Sequence, residues 1–433
     1  MDKPFLPLLI IADDTTGALD TGVQFTKRGF STVVIPNNQL PVQEVKENLQ
    51  VLVVDTNTRN VSPEEAYHRV KEVVKLVLAQ FEVQSFYKKT DSTLRGNIGK
   101  EFEALLDATG EEELFFVPAF PGMGRITRGG HQLIRGEPAF QTDLAQDILN
   151  PVRENYIPEL IHKQSSLSVE VVDKNRRNVF WQYTSKRYTS RKDRKVIVFD
   201  AENEQDLKEI GLLLQRENKI FLTAGCAGFA EHLAQLLNLQ PAEKIVFTPP
   251  SRWLVIGGSL HPLALEQLDF AAQKGIPQVI LSPAFFFEDN IEDFFQEAWY
   301  YLQRDFNFII RTIKNREDLR EYRELAEKQG WNWKEVPLLV SQKLGNLVKE
   351  LIKKRGKKRT IIVLGGDTTR GILESFDWKG IIPERELLPG AVLSRVIGEE
   401  EVCLITKAGA FGDRETLVKL IDFVGEEQQC LSE

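Results

Sequence analysis

The feature that most constrains the fold is a short apolar run followed by a segment of helical periodicity, repeated along the chain. Leu8–Ile11 is the first such run, and Leu19 and Val23 beyond it share one helix face. Further on, Ser62–Glu65 combines an N-cap serine, a proline and a capping-box glutamate, which predicts the start of a helix. Strands that alternate with helices form a mostly parallel sheet covered on both faces. The sequence therefore predicts an α/β fold.

The runs that we predict as strands are rich in branched and aromatic residues and are bounded by turns. They are Leu8–Ile11, Val51–Val54, Ser85–Tyr87, Leu114–Val117, Val196–Phe199, Ile220–Thr223, Trp253–Ile256, Pro277–Leu281, Phe308–Ile310, Thr360–Leu364 and Val402–Thr406.

The 433 residues exceed what one ordinary hydrophobic core organises, so two or three domains are expected. Three prolines within Gln240–Ser251 suit a linker that no helix can cross. The predicted domains are residues 1–245 and 251–433. Each is expected to be a mostly parallel sheet flanked by helices, with the active site in the interdomain cleft.

Composition argues against several classes of protein. A formal net charge of −8 disfavours non-specific binding to nucleic acid or to an anionic membrane, because both need a basic surface. Cys226, Cys403 and Cys430 lack the spacing of a disulfide framework or a zinc site, and the histidines show no metal-site pairing. No signal peptide and no apolar run of membrane-spanning length is found, so we expect a cytoplasmic protein.

Two adjacent carboxylates, Asp13 and Asp14, follow the first predicted strand. Ligands of an open parallel sheet bind beyond the carboxyl ends of its strands, which is where these residues fall. Neighbouring carboxylates repel each other and are costly to bury. A helix cap would explain one of them but not both. We interpret the pair functionally: one binds substrate hydroxyls, and the other orients it or acts as a base.

A loop dense in charges and hydroxyls, Lys88–Gly96, follows the third predicted strand. It predicts a site for an anion that also carries hydroxyls, in which Arg95 binds a carboxylate through two hydrogen bonds and Lys89 neutralises its charge. Arg59, which follows Val51–Val54, either joins this site or is a surface arginine.

Three predicted strands in the second half of the chain end in glycines. Glycine lets backbone N–H groups approach an oxyanion closely, and the following helix favours negative charge. The loops are Gly257–Ser259, Gly365–Thr369 and Lys407–Gly412, and together they suggest a nucleotide phosphate site. Neither a GxxxxGK[ST] nor a GxGxxG motif is present, so a P-loop and a dinucleotide fingerprint are not expected. An acid-binding half and a phosphate-binding half suit phosphoryl transfer.

The motifs resemble those of the four-carbon acid sugar kinases, formerly a family of unknown function. The resemblance covers nearly the whole chain and rests on several motifs in a fixed order. They lie within Ala12–Gly22, Lys89–Asn97, Pro118–Pro121, Gly225–Gly228, Gly365–Thr368, Pro389–Gly390 and Lys407–Gly412.

The resemblance implies ATP-dependent phosphorylation of a hydroxyl on a four-carbon sugar acid such as threonate, erythronate or 2-oxo-tetronate. It implies a sugar-acid-binding N-terminal domain and a nucleotide-binding C-terminal domain. The residues implied for the acid are Asp13, Asp14, Lys89, Asp91 and Arg95, and those for ATP are Ser259, Gly365, Gly366, Asp367, Thr368 and Gly409. From the loops themselves we add Arg59 and Ser92 to the acid site and Gly412 to the phosphate site.

The expected mechanism assigns the base to an aspartate of the first half, either Asp14 or Asp91, and charge neutralisation to Lys407. We expect Mg²⁺ to bridge the β- and γ-phosphates, with Asp367 as its ligand. Two other classes stay open: a non-catalytic, two-lobed binder or sensor of sugar acids, and a dehydrogenase or isomerase of the same acids. The oligomeric state is also open, with a homodimer among the alternatives.

Overall fold

The computed structural model describes residues 3–36, 40, 48–142, 151–180, 194–237, 239–242, 247–287, 292–355, 358–376 and 378–426. They form two compact units, Met1–Glu243 and Lys244–Glu433. Residue 245, where we place the end of the first domain, and Cys430 lie outside the described residues. Among the helices so described, none combines the length and apolar character that crossing a bilayer requires.

The first unit is built on a parallel sheet. Its strands are β1 (Phe5–Ala12), β2 (Thr32–Pro36), β3 (Val51–Asp55), β4 (Glu82–Lys89), β5 (Glu113–Val117), β9 (Ser168–Val172), β10 (Lys195–Phe199) and β11 (Leu222–Gly225), in the order β2-β3-β1-β4-β11-β5-β10-β9. A small antiparallel sheet contains β6 (Arg125–Arg128), β7 (His131–Ile134) and β8 (Glu137–Pro138). The helices are Thr15–Thr26, Pro63–Gln80, Ile98–Thr109, Ile157–Gln164, Glu204–Arg216 and Ala227–Leu236.

The second unit repeats the scheme. Its strands are β12 (Trp253–Gly257), β13 (Gln278–Ile280), β14 (Phe308–Arg311), β15 (Arg359–Leu364), β16 (Ile381–Leu388), β17 (Ala391–Val396) and β18 (Glu399–Lys407). Their order is β13-β14-β12-β15-β18-β17-β16, parallel as far as β18 and antiparallel beyond it. The helices are Pro262–Gln273, Pro283–Phe287, Glu292–Gln303, Leu319–Lys328, Val336–Arg355, Gly366–Phe376 and Thr416–Glu426.

The local signals read from the sequence produce the expected elements. In β1 every residue after Phe5 is buried, as expected for a strand covered on both faces. The side chain of Ser62 accepts a hydrogen bond from the backbone of Glu65 and caps the helix that starts at Pro63. The predicted α/β class is therefore confirmed, with mostly parallel strands flanked by helices in both units.

The predicted strand at Ser85–Tyr87 proves longer than its apolar core. The structure continues β4 through Lys88 and Lys89, because β4 pairs with β1 as far as the partners Ala12 and Lys89. Lys88 is buried against Glu101, at 3.0 Å between charged atoms. The two lysines thus belong to the sheet and not to the loop. Strands β2, β6–β9, β16 and β17 were also missed, since they are short, edge-lying or interrupted by polar residues.

Candidate active site

Arg59 joins three carboxylates at the carboxyl end of the first unit's sheet. Its Nε donates to Oδ2 of Asp13, while Nη1 and Nη2 donate to the two oxygens of Asp14, all at 2.7 Å. Nη2 also lies 3.7 Å from Oδ1 of Asp91. The Arg59 side chain is only 12% exposed, so it is not the surface arginine that the sequence left open.

The loop after β3 holds Arg59 in place through its backbone. The N–H groups of Thr58 and Arg59 both donate to the carbonyl of Asp13, at 3.0 and 3.2 Å. The side-chain amide of Asn97 donates to the carbonyl of Thr58 at 2.8 Å. The loops that follow β1, β3 and β4 are therefore bonded to one another, which brings Arg59 to the aspartates.

Asp14 both caps a helix and belongs to the charged cluster, so it has a structural role as well as a place in the candidate site. It is the N-cap of the helix Thr15–Thr26, and its Oδ1 accepts from the backbone of Gly17 at 3.0 Å. The same carboxylate is paired with Arg59. Its side chain is 21% exposed, whereas that of Asp13 is 2% exposed. Of the two, Asp14 is therefore the aspartate that a ligand in solvent can reach.

Asp91 is enclosed by its own loop. Arg95 binds it through Nε and Nη2, each at 2.9 Å, and Thr93 donates to the same carboxylate. Arg95 is 22% exposed, and Ser92 beside it is half-buried. A guanidinium carries five N–H donors, so the side-chain bonds to Asp91 use only part of the donor capacity of Arg95.

Positive charge dominates the electrostatics of these aspartates. Burial opposes ionisation of Asp13, but Arg59, Lys89 and Lys88 outweigh it and hold the pKa of Asp13 below its usual value. Likewise, burial is outweighed at Asp91 by Arg95 and Arg59, so its pKa lies well below the usual range. Both side chains are therefore carboxylates at neutral pH.

Lys89 lies within this cluster. It is 5% exposed, and its ammonium donates to the carbonyl of Thr90 at 2.7 Å. A Cβ atom added to Gly17 would lie 2.7 Å from that ammonium and 2.5 Å from Oδ1 of Asp14. The glycine is thus required for Lys89 and Asp14 to approach the start of the helix together.

Some polar atoms of this region are buried without a hydrogen-bond partner in the part of the chain that the structure describes. They are Oδ1 of Asp13 and the hydroxyl oxygens of Thr16 and Thr90. Most buried polar groups in proteins are satisfied, so each exception calls for an explanation such as a functional role. The carboxyl ends of β1 and β4 therefore hold buried polar atoms with unused hydrogen-bonding capacity, as expected of a binding site.

In the second unit, the three predicted glycine loops meet. A Cβ at Gly409 would lie 2.4 Å from Oγ of Ser259, and a Cβ at Gly365 would lie 3.1 Å from Cβ of Ser259. A Cβ at Gly258 would lie 2.2 Å from Oγ1 of Thr368. Strands β12, β15 and β18, which end in these loops, are neighbours in the sheet. The loops Gly257–Ser259, Gly365–Thr369 and Lys407–Gly412 therefore form one surface, which we call the glycine surface. Only glycine fits at its points of closest approach.

Lys407 closes β18 beneath this surface. The side chain is 1% exposed, and its Nζ donates to the carbonyl of Ala408 at 2.9 Å. Burial lowers the pKa of Lys407 to about 7. Gly412, further along the loop, has a positive φ of 87°, and a Cβ there would lie 2.3 Å from Oγ1 of Thr416. Gly412 is therefore required for the turn into the helix Thr416–Glu426.

Asp367, the predicted metal ligand, is exposed in the first turn of the helix Gly366–Phe376. Within the described ranges, no group of three or more His, Cys, Asp or Glu side chains is placed to hold a metal ion. Mg²⁺ commonly binds one or two carboxylates together with substrate phosphates, so a single aspartate beside the predicted phosphate loops fits this ion.

Two parts of the first site were not found from the sequence. The first is Arg125, which lies at the start of β6 and is 7% exposed. Burial lowers the pKa of Arg125, and the positive charges of Arg135 and Arg95 lower it further. The negative charge of Asp91 acts in the opposite direction. The second is the buried ion pair between Lys88 of β4 and Glu101 of the helix Ile98–Thr109, which links the strand to that helix. Arg125 lay in a motif whose prolines and glycines predicted only a loop shape, and no local pattern marks it as part of the site.

The fold and the two sites define a class: an α/β protein with a charged carboxylate–arginine site in one unit and a surface of glycine loops in the other. Residues 8–233 match the model of a sugar-binding N-terminal domain, and residues 254–417 match that of a nucleotide-binding C-terminal domain. The chain belongs to the four-carbon acid sugar kinase family, whose members carry these two domains. It is a phosphotransferase with an alcohol group as acceptor, which sets aside a non-catalytic binder and a dehydrogenase or isomerase.

Several relatives are similar over almost their whole length. A D-threonate kinase of Salmonella typhimurium is 28% identical and covers 98% of this chain and 100% of the relative. A D-erythronate kinase of Heliobacterium modesticaldum is also 28% identical, covering 96% and 97%. A 3-oxo-tetronate kinase of Brucella melitensis is 24% identical, covering 93% and 92%. A crystal structure from Salmonella typhimurium LT2 shares the fold, with a TM-score of 0.77 at 22% identity, covering 96% and 99%.

Proposed function

We propose that this protein transfers the γ-phosphoryl group of ATP to a hydroxyl of a four-carbon sugar acid of the threonate, erythronate or oxo-tetronate type. The observation that carries the proposal is the site around Arg59, which combines accessible carboxylate and guanidinium groups at the ends of adjacent parallel strands. Carboxylates accept hydrogen bonds from hydroxyls, and a guanidinium matches a carboxylate. A sugar acid carries both groups.

In this proposal Arg95 and Lys89 bind the carboxylate of the acid, and Asp91 positions Arg95. Arg95 is the more accessible of the two cations, and its fork is held in one orientation by Asp91. Ser92, half-buried in the same loop, contributes a hydroxyl. Arg59 takes a positioning role, since its donors are directed at Asp13 and Asp14.

Asp14 is the proposed base. Its Oδ2 accepts only from Arg59 among the described residues, whereas Oδ1 already accepts from both Arg59 and Gly17. The acceptor hydroxyl gives its proton to Oδ2 as its oxygen bonds to the γ-phosphorus. The bond from that phosphorus to the β–γ bridging oxygen breaks, and ADP leaves. Asp13, which is buried and ionised, stabilises the arrangement electrostatically.

ATP is proposed to bind the glycine surface of the second unit, with its phosphates near Ser259, Gly365, Gly366, Thr368 and Gly409. The close approach of these loops brings them together at the start of the helix Gly366–Phe376, and the first N–H groups of a helix bind oxyanions, whereas the N–H of Gly365 already donates to the carbonyl of Lys407. Mg²⁺ would be held by Asp367 and neutralise phosphate charge, and Lys407 supplies a buried cation next to the same loop.

The experiment is ADP release measured with D-threonate, D-erythronate and 3-oxo-tetronate, and with two comparison compounds. Threitol has four carbons but no carboxylate, and D-glycerate has three carbons. We expect turnover with at least one four-carbon acid and none with threitol. Turnover of threitol at a similar kcat/KM would contradict the carboxylate site, and no ADP release with any four-carbon acid would contradict the proposed function.

Two variants test the assigned residues. Arg95→Ala should raise KM for the acid roughly 10- to 100-fold, because a charge-assisted bidentate contact is lost. Arg128→Ala, at an exposed arginine paired with Glu202, is the matched control and should leave KM unchanged. Asp14→Asn should lower kcat, and unchanged turnover in this variant would remove Asp14 as the base.

A further inference from the structure

A surface cavity of about 410 Å³ lies against the helix Pro262–Gln273 in the second unit. Its size falls in the range of small-molecule sites. The helix follows β12, and β14 is the neighbour of β12 in the sheet. The side chains that matter here are Leu265, Glu266 and Phe270 of the helix, Lys314 and Asn315 after β14, and Arg414 after β18.

The cavity begins where the glycine surface ends. Pro262 directly follows His261, whose backbone N–H donates to Oγ of Ser259 at 3.3 Å. Along the same helix, the side-chain amide of Gln267 donates to the carbonyl of Asp413 at 2.7 Å, and so holds the loop after β18 against the helix. Arg414 is the next residue in that loop. The cavity and the proposed phosphate site therefore share the same helix and the same loop.

Arg414 forms a flat platform in the cavity. Its guanidinium carbon lies 4.6 Å from the ring centroid of Phe270, and the aromatic ring is half-buried while the guanidinium is exposed. Guanidinium planes stack on nucleobases and aromatic rings. Phe270 is eight residues beyond Pro262 in the helix, about 12 Å along its axis at about 1.5 Å per residue. That distance is comparable with the length of a nucleoside.

We propose that this cavity holds the nucleoside of the bound nucleotide, with its base stacked on Arg414 and its phosphates on the glycine surface. The inference rests on the proposed function and deepens it by naming the residues that contact the nucleoside. Oδ1 of Asn315 accepts from the backbones of Glu317 and Asp318, which fixes the amide so that its NH2 group can donate to an acceptor on a purine edge. Glu266 supplies a carboxylate for ribose hydroxyls, as acidic residues do in other nucleotide sites.

The test compares ATP with inorganic tripolyphosphate, which has the phosphates but no nucleoside. Binding of each is measured by titration calorimetry to the full chain and to Arg414→Lys, which keeps the charge but removes the plane. The matched control is Arg385→Lys, because Arg385 also lies over an aromatic ring, that of Phe423 at 4.8 Å, but is outside the cavity.

We expect Arg414→Lys to weaken ATP binding about tenfold, the effect of losing one stacked base contact, and to leave tripolyphosphate binding unchanged. Arg385→Lys should change neither. An unchanged Kd for ATP, or an equal loss for ATP and tripolyphosphate, would overturn the nucleoside assignment while wild-type turnover still supports the kinase. A wild-type chain that neither binds ATP nor releases ADP would overturn the proposed function itself, and the assignment with it.

Discussion

The guanidinium of Arg59 binds the carboxylate of Asp14 through two hydrogen bonds of 2.7 Å. Its Nε donates to Asp13, and its loop is hydrogen-bonded to the backbone of Asp13. One arginine thus fixes the position of both adjacent carboxylates. This relationship explains how two acidic neighbours can be placed together at a buried strand end, because both of them pair with the same cation.

Arg59→Met should destabilise the protein by about 2–4 kcal/mol, because it leaves nearly buried carboxylates without their partner. The free energy of unfolding in urea measures the effect. The control is Arg320→Met, since Arg320 pairs with Glu324 but is 88% exposed, and it should cost less than about 1 kcal/mol. Equal effects of the two substitutions would contradict the buried role of Arg59.

Asp91→Asn should lower the free energy of unfolding by about 1–3 kcal/mol at pH 7, since bonds to a charged carboxylate are lost. The native pKa of Asp91 is well below its usual value, so its contribution is complete above the unfolded pKa of about 3.9. It is lost as the pH falls through the native pKa. The difference between variant and wild type should therefore shrink in acid, and a difference independent of pH would contradict this account.

Gly409→Ala should weaken ATP binding while KM for the sugar acid stays unchanged, because the added methyl group lies 2.4 Å from Oγ of Ser259 and forces the loops apart. Gly425→Ala is the matched control, since a Cβ there meets no atom within 4 Å. Equal ATP affinities in Gly409→Ala and wild type would show that the loops do not contact the nucleotide.

Gly17→Ala should impair the use of the sugar acid and leave ATP binding unchanged, which is the reverse of the effect expected for Gly409→Ala. A Cβ at this position lies 2.5 Å from Oδ1 of Asp14 and 2.7 Å from Nζ of Lys89, so both groups must move. We expect kcat/KM for the acid to fall at least tenfold, the usual effect of small displacements in a catalytic site. ATP binding, measured by calorimetry, should remain at the wild-type value. A loss of ATP affinity alone would contradict the separation of the two sites.

Lys407 should take up a proton when ATP binds at pH 8. Its native pKa of about 7 leaves it mostly neutral there, and nearby phosphates favour the charged form. Calorimetry in two buffers of different ionisation enthalpy measures this uptake, which should be smaller at pH 6 because the lysine is already charged. Lys407→Met should abolish it. Equal uptake in the wild type and this variant would place the phosphates away from Lys407.

The sequence by itself determined the α/β class and the position of most strands, because continuous apolar runs followed by helical periodicity report burial directly. It also identified the family, since the glycine and aspartate motifs occur in order along the chain. Strands such as β6 and β16 escaped prediction because they are short or interrupted by polar residues, so they lack the continuous apolar run that marks a buried strand, although each pairs with the strand that follows it.

Only the tertiary structure decided how the charged groups are paired. Nothing in the sequence shows that Arg59 spans Asp13 and Asp14, that Arg95 is held by Asp91, or that Lys88 is buried against Glu101. Each of these pairs depends on which strands are neighbours and on how far each loop reaches. The energy of two charges depends on the distance between them and on how far both are buried, and the order of residues along the chain contains neither quantity.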